Sequence, residues 1–508
     1  MEKSYDVLVI GSGLGGLVSA LILAKEGRKV CVVEKNQQLG GNLQTFSRDK
    51  CIFDTGVHYL GGLSKGQNLY QYFEFLGIAD GLKLKKMDEN AFDCITFDGD
   101  PTEYPHAQGF ENFAERLSEF FPEEKNNLLK YVQELRNACS RFPGYHLDLA
   151  GHYPEDLLYV SAKEFIYRTT SNPKLRAVLA GSSFLYGAGA DTPLPMHALT
   201  TGSYMQSAYR CVGGGSQITK LLVGELRKNG ADIFKRKEIS QLVVDSTKNV
   251  LYALSADGDR FFSEQFISNI DIRQAIRICD SDAFPKPFRE RVKSLKAGPS
   301  CFSVYIVLKP QSVPYFNYNI YHFKNEASVW SNTFQPNEWP GFYMLSCTES
   351  SKHAGFAESI TILTYMDFSE VEAWSNTNNT ASKPRERGAD YQLFLKDKAN
   401  KVIKEAESKI PGLSEKIQAF YTSSPLSYRD YIGSADGSMY GYAKSSKHPM
   451  RTVFSPRTKI KNLFLTGQSV NMHGILGVTV GAFHTCAEIL GKELLNERLK
   501  PYHKRYEN

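Results

Sequence analysis

The chain has 508 residues, 42% hydrophobic and 23% charged, with a formal net charge of +5. That length holds two or three compact units with a sizeable core, and that charge is too mild for a protein built around nucleic acid; the basic clusters at 83–86 and 235–237 read as solvated faces. Nine cysteines without a C-x-x-C pair or a metal-like spacing to histidine point to a reducing, cytoplasmic setting with no disulfide framework and no metal site, and no apolar run reaches the ~18 residues of a spanning helix.

The chain opens on YDVLVIGSGLGGLVSALILAKEGRKVCVVE, Tyr5 to Glu34. Tyr5 to Ile10 has the length and β-branched content of a buried parallel strand. Gly11, Gly13 and Gly16 follow at G-x-G-x-x-G spacing, enclosing Leu14 and Gly15, and Leu17 to Ala24 reads as a helix. The first glycine permits a tight turn, the second lets backbone approach a pyrophosphate, and the third lets helix pack closely on strand. The phosphate then meets free N–H groups at the positive end of a helix dipole. A second strand, Lys29 to Val33, ends in Glu34, a carboxylate placed to accept both ribose hydroxyls of an adenosine and to repel a 2′-phosphate. Strand, turn, helix, strand and acid in that order are the context the motif needs. They do not choose between nicotinamide and flavin.

After Glu34 comes KNQQLGGNLQTF, from Lys35, with the doublet Gly40-Gly41, then Asn42 and Thr45; next is FDTGVHYLGGL, Phe53 to Leu63. On these runs the chain resembles the phytoene desaturase and carotenoid isomerase family of flavoproteins, and DTGVHYLGG most resembles that family's all-trans-retinol 13,14-reductase, or retinol saturase, branch. The resemblance implies FAD as cofactor, with the doublet crossing its phosphates and ribityl, and adds Lys35, Asn42 and Thr45 to the glycine turn and Glu34 as expected contacts.

Beyond residue 68 the pattern is mixed, with a hairpin expected in CITFDGDPTEYPH, where Gly99 and Pro101 separate two strand-like runs. Residues 111–140 show helical periodicity in two pieces around Pro122. Leu157, Leu158, Val160, Phe165 and Ile166 suggest one apolar helix, followed by a segment of small and aromatic residues that is either a buried helical layer or an apolar channel. The resemblance extends to PKLRAVLAG and MHAL in this segment and favours the channel. Tyr209 to Asp245 holds a glycine turn, a helix and a strand, and resembles the family's return to the cofactor domain, with Val243 and Val244 on the strand that touches adenine in relatives. FISNID, Phe266 to Asp271, resembles a further return strand. From 294 to 409, strand-like runs such as CFSVYIVL and SITILTY, with Trp330, Trp339 and Trp374 as packing residues, read as a β-rich substrate domain. Asn462 to Leu490 supplies a strand ending at Thr466-Gly467, a loop, and a helix opening around Gly474 to Gly477. The resemblance implies cofactor contacts at Gly467, Gln468, Gly474 and Ile475, and a helix start aimed at the flavin stabilises the negative charge of its reduced form. Relatives commonly carry an acid where Gln468 stands; an amide still bonds ribityl hydroxyls.

The expected fold is therefore α/β: a two-dinucleotide-binding, Rossmann-like FAD domain from segments 1–75, 205–293 and 410–508, and an α+β substrate domain from 76–204 and 294–409. The expected function is that of an FAD-dependent oxidoreductase on carbon–carbon double bonds of an apolar polyene, retinoid or carotenoid-like. Saturation by hydride transfer from flavin N5 leads, and desaturation is its reverse. The alternatives are a flavin-dependent cis–trans isomerase and a non-catalytic lipid-binding protein of the GDP-dissociation-inhibitor-like fold; an amine oxidase is a weaker reading. His58, Tyr59 and His473 lie where a proton could be delivered, and each reads equally well as a structural hydrogen-bonding group, so no catalytic residue is assigned. No second glycine fingerprint marks a nicotinamide site, which leaves the electron partner open. A substrate this apolar resides in a bilayer, so peripheral membrane contact through 157–186 is expected.

Overall fold

The computed structural model describes residues 4–187, 189–279, 283–381 and 383–504. The opening run forms the strand Ser4–Ile10, flanked in parallel by Val30–Val33 on one side and Arg260–Ser268 on the other. Asp232–Phe234 extends the sheet beyond Val30–Val33, and Leu463–Leu465 lies parallel to the end of Arg260–Ser268. Chain segments from both termini and the middle thus share one parallel core, completed by the antiparallel hairpin Ile239–Val244 and Val250–Ser255. The helix Leu14–Lys25 is buried from Leu14 to Ala24. It is apolar all round because it has neighbours all round: the sheet, Ser216–Lys228 and Gly474–Leu490.

A second seven-stranded sheet runs in the order Ile417–Ser423, Cys301–Leu308, Ala357–Tyr365, Phe342–Glu349, Asn319–Phe323, Asp93–Phe97, Tyr104–His106. It is antiparallel except where Asn319–Phe323 pairs in parallel with Asp93–Phe97. Side chains alternate between two cores. Phe302, Val304 and Ile306 face the helix Ala389–Ala406, while Ile95, Tyr321, Met344 and Leu363 face a helical layer between residues 110 and 206.

Three expectations change in detail. The apolar helix over 157–166 is two short ones, Glu155–Leu158 and Ala162–Thr169, because Ser161 caps the second: its Oγ accepts from Glu164 N at 3.0 Å. The unit boundary expected at 410 falls later, since Ile417–Ser423 pairs along Cys301–Leu308 and keeps the chain in the second sheet to Ser423. Within 157–186, Phe165, Ile166, Leu175, Val178 and Leu179 are spent on the core, leaving Tyr159 and Tyr167 exposed. Among the described residues no helix is long and apolar enough to cross a membrane. Trp339 is buried, its Nε1 donating to the Tyr365 carbonyl at 2.7 Å, and Trp374 packs edge-on against Tyr391 and at a tilt against Phe394.

Two histidines are fully buried where the second sheet meets the helical layer, His106 on the strand Tyr104–His106 and His197 in the layer. His197 lies between the phenols of Tyr131 (2.7 Å from Nε2) and Tyr186 (2.8 Å from Nδ1), and His106 Nε2 donates to the Val178 carbonyl at 2.9 Å. Burial pulls His197 down to about 3 and His106 to about 4. Between those values and the ordinary ~6.5 the unfolded chain binds more protons than the folded one, so stability is full above that range and is lost as pH falls. The slope is up to ~1.4 kcal/mol per pH unit for each histidine. The melting temperature is accordingly expected to fall steadily from pH 6.5 to 4 in a thermal scan, and His197→Gln to flatten that fall.

Candidate active site

A cavity of about 500 Å³ opens at the carboxyl ends of the parallel strands, where such sheets bind ligands. The first strand delivers the chain to Gly11, which turns at φ +94°, its N–H donating to the Val33 carbonyl at 2.8 Å. Gly13 caps the helix Leu14–Lys25 with no side-chain hydrogen bond, so no side chain covers the start of that helix where Gly13, Leu14 and Gly15 form the wall. Gly16 stands one layer behind, where a Cβ would lie 2.2 Å from the Gly11 carbonyl oxygen.

Glu34 ends the second strand, buried in the same wall. Its Oε2 accepts from Ser12 N (2.9 Å) and Ser12 Oγ (2.7 Å), and its Oε1 from Asn36 N (2.9 Å). The carboxylate is thus aimed by the glycine turn itself, and Oε1 retains capacity for a further donor. Beside it, burial lowers the pKa of Lys35, whose Nζ donates to the Asp430 carbonyl at 3.2 Å. Gly40 and Gly41 both have positive φ and press on the first turn: Gly40 N donates to Ser12 O, and a Cβ on Gly41 would stand 3.2 Å from Gly13 Cα. Asn42 Nδ2 reaches Gln468 Oε1 at 3.4 Å, joining the two ends of the chain in the wall. From the C-terminal side come Gly474, Ile475 and Val478 of the helix Gly474–Leu490, whose start also lacks a side-chain cap.

Of the other expected contacts, Gly467 supports Gly15 from behind, its Cα 3.1 Å from where a Gly15 Cβ would be. Thr45 bonds Ser216 Oγ at 3.1 Å, outside the wall. Val243 also stands outside, paired with Tyr252 in the hairpin. The wall is formed instead by Lys237, Glu238 and Ile239 at the start of that segment, because pairing of Asp232–Phe234 with Val30–Val33 carries the next turn over Glu34, where Lys237 N donates to Glu34 O at 2.8 Å. Asn269 was missed by sequence reasoning. It follows the third parallel strand as Gly11 and Glu34 follow theirs, and its Nδ2 donates to the Gly11 carbonyl at 3.3 Å. Leu185, Tyr204, Met344 and Tyr440, also in the wall, come from the helical layer, the second sheet and a distant loop.

At the inner end, His58 is half-buried and His473 stacks against Tyr440, ring centroids 4.7 Å apart. Burial lowers His58 to about 4, with Arg210 adding to it, and His473 to about 3, with Lys444 adding. Burial therefore disfavours the imidazolium form of both. Tyr59 is buried with its hydroxyl 2.7 Å from both Asp93 Oδ2 and Tyr321 Oη. A smaller apolar chamber of about 90 Å³, lined by Phe142, Met196, Leu199 and Met472, shares Leu185, Tyr204, Gly474 and Ile475 with the main cavity.

Residues 9–76 match the NAD(P)-binding Rossmann-like domain family. Over 549 residues the chain is 25% identical to the all-trans-retinol 13,14-reductase of Rattus norvegicus, spanning 98% of this chain and 87% of that protein. Over 534 residues it is 25% identical to the chloroplastic prolycopene isomerase of Daucus carota, spanning 98% and 82%. The chain is a homologue of both. Its fold also matches a solved structure of putrescine oxidase, with a TM-score of 0.65 at 14% identity over 96% of this chain and 99% of that one. Homology to the reductase and the isomerase spans nearly the whole chain, so the likeness is not confined to the opening runs.

Proposed function

We propose that the protein is a flavin-dependent oxidoreductase, with FAD as its cofactor, acting on the carbon–carbon double bonds of an apolar polyene. The observation that carries this is the meeting of two uncapped helix starts, from opposite ends of the chain, at one cavity that shares lining residues with a smaller apolar chamber. The residues present fit the dinucleotide. Side chains are missing where a pyrophosphate must approach Gly11, Gly13 and Gly15, and Glu34 is held where an adenosine ribose would donate to it. The amides of Asn42 and Gln468 are suited to polyol hydroxyls, and the start of Gly474–Leu490 favours negative charge over the inner end. Bound there, the cofactor supplies two-electron transfer to or from a double bond. Leu185, Met196, Leu199 and Met472 exclude water and accept hydrocarbon.

The substrate class rests on the homologues' names, one a retinol reductase and the other a prolycopene isomerase; saturation is the first reading. Isomerisation is the second, favoured by equal identity to the isomerase. The test is anaerobic photoreduction of the purified protein followed by a panel of retinoids and carotenoids. One member is expected to reoxidise the flavin and emerge two hydrogens heavier. A rearranged isomer with flavin still reduced establishes the second reading, and a colourless protein that takes up no FAD overturns both.

A further inference from the structure

Asp93 opens a strand, Asp93–Phe97, that is buried at every position, and is itself fully buried. A carboxylate in such a place costs several kcal/mol unless it is paired. Among the described residues no cation bonds it. Its partners are neutral: Tyr59 Oη donates to Oδ2 at 2.7 Å and Asn319 Nδ2 to Oδ1 at 2.8 Å. The fold produces this arrangement through the parallel pairing in the second sheet, which sets Asn319 opposite Asp93 and places Tyr321 two residues on along the same face. Asn319 is oriented in turn by Arg210, whose Nη2 donates to its Oδ1 at 2.9 Å. The network ends at Tyr59, which belongs to the cavity wall; Asp93 stands behind it.

The other groups around this end of the cavity make poor acids. Burial disfavours the charged form of His58 and His473 and raises the phenols of Tyr59, Tyr204, Tyr321 and Tyr440 alike; what sets Tyr59 apart among them is its bond to a carboxyl group, that of Asp93. Asp93 differs: burial raises it to about 7, against the hydrogen bonds from Asn319 and Tyr59 and the field of Arg210. The groups facing it are Tyr59, Tyr321, Tyr204, Asn319 and Arg210, with His106 opposite it in the neighbouring strand and turned to the Val178 carbonyl. Asp54 is also raised to about 7 by burial, but it is spent on the Gly215 N–H at 2.7 Å and lies outside the wall.

We infer that Tyr59 delivers a proton to the polyene and that Asp93 acts through it by reloading the phenol, an assignment that rests on the reading of the cavity as a polyene-reducing site. Saturation adds two electrons and two hydrogens across one π bond. The electron pair and one hydrogen come from the reduced cofactor. The second carbon takes the Tyr59 phenolic proton: that O–H bond breaks, a C–H bond forms, and the Asp93 carboxyl proton crosses the 2.7 Å contact to the phenolate. Asp93 is left as a carboxylate and is reprotonated from solvent between turnovers. Desaturation runs the same path backwards.

The test compares wild type with Tyr59→Phe and Asp93→Asn in single turnovers of the photoreduced protein over pH, and follows the carboxylic C=O infrared band of the cofactor-free protein. Wild-type rates are expected to be level in acid and to fall above pH about 7. Tyr59→Phe is expected to lower them ~10²–10⁴-fold with flavin retained, and Asp93→Asn to lower them comparably and abolish the pH dependence. The infrared band is expected to titrate near neutrality and to lose its Asp93 component in Asp93→Asn, leaving that of Asp54. Should Asp93→Asn fail to fold, Tyr59→Phe, which removes one oxygen, carries the kinetic arm. Wild-type turnover with rates in either variant within a few-fold overturns the inference and leaves the functional reading standing. A wild type that reduces no polyene overturns the functional reading, and an infrared band whose titration Asp93→Asn leaves unchanged overturns the role of Asp93 on its own.

Discussion

Gly16→Val is expected to leave a protein that no longer holds flavin and unfolds at markedly lower denaturant. Gly16 lies inside the helix Leu14–Lys25 with ordinary helical φ, so the objection to a side chain is space and not backbone strain. A Cβ would stand 2.2 Å from the Gly11 carbonyl oxygen, 3.0 Å from Asn269 Nδ2 and 3.2 Å from Asn269 Cβ. The nearest of these is backbone at the end of a strand paired on both sides, and it cannot swing away. The helix must lift off the strand instead, opening the turn whose N–H groups face the cavity and slackening the contacts that aim Glu34 through Ser12. Gly16→Ala should cost ~3 kcal/mol and Gly16→Val more. Gly224 is the contrast: it lies in the helix Ser216–Lys228 and a Cβ there meets nothing within 4 Å, so Gly224→Ala should stabilise by ~0.5–1 kcal/mol. Urea denaturation with flavin absorbance measured on the same samples checks both; a Gly16→Ala protein as stable and as yellow as wild type would refute the close-approach argument.

What was legible in the sequence follows the distance over which the interactions act. The opening strand, turn, helix, strand and acid lie within about thirty residues, each specified by neighbours in the chain, and they fold as read. The helix over 157–166 failed on a local competition, apolar content against the capping oxygen of Ser161. Val243 stands outside the cavity wall because the segment's approach to it is set by Asp232–Phe234 pairing with Val30–Val33, which no periodicity in 239–244 reveals. Asn269 was within reach, since it ends a parallel strand as Gly11 and Glu34 do. Asp93 was not: in sequence it is the polar start of a hairpin strand, and its burial comes from pairing with Asn319, far along the chain and in another hairpin.

Asp430→Ala is expected to destabilise the fold by ~3–5 kcal/mol, the cost of stranding a buried charge. Asp430 and Arg387 are both buried and form an ion pair. Asp430 Oδ2 also accepts from Asn379 N at 2.8 Å, and Oδ1 from Arg429 Nε at 2.8 Å and Asn378 Nδ2 at 3.3 Å. The residue lies in the helix Pro425–Ile432, whose carbonyls at Asp430 and Tyr431 accept from Lys35 Nζ (3.2 Å) and Asn36 Nδ2 (2.9 Å). One carboxylate therefore ties the loop around 378–387 to this helix and, through it, to the residues just beyond Glu34. Asn378, Arg429 and Tyr431 line the cavity, so FAD affinity should fall with stability. The pair need not be a net source of stability, because desolvating two charges offsets most of their attraction. Replacing both, Asp430→Ala with Arg387→Met, should recover most of the loss of the single change, giving a coupling energy of ~2 kcal/mol or more in a double-mutant cycle. Denaturation of the four proteins with and without bound flavin measures it, and a single-variant cost below ~1 kcal/mol would mean that water, and not the carboxylate, is enough to satisfy Arg387.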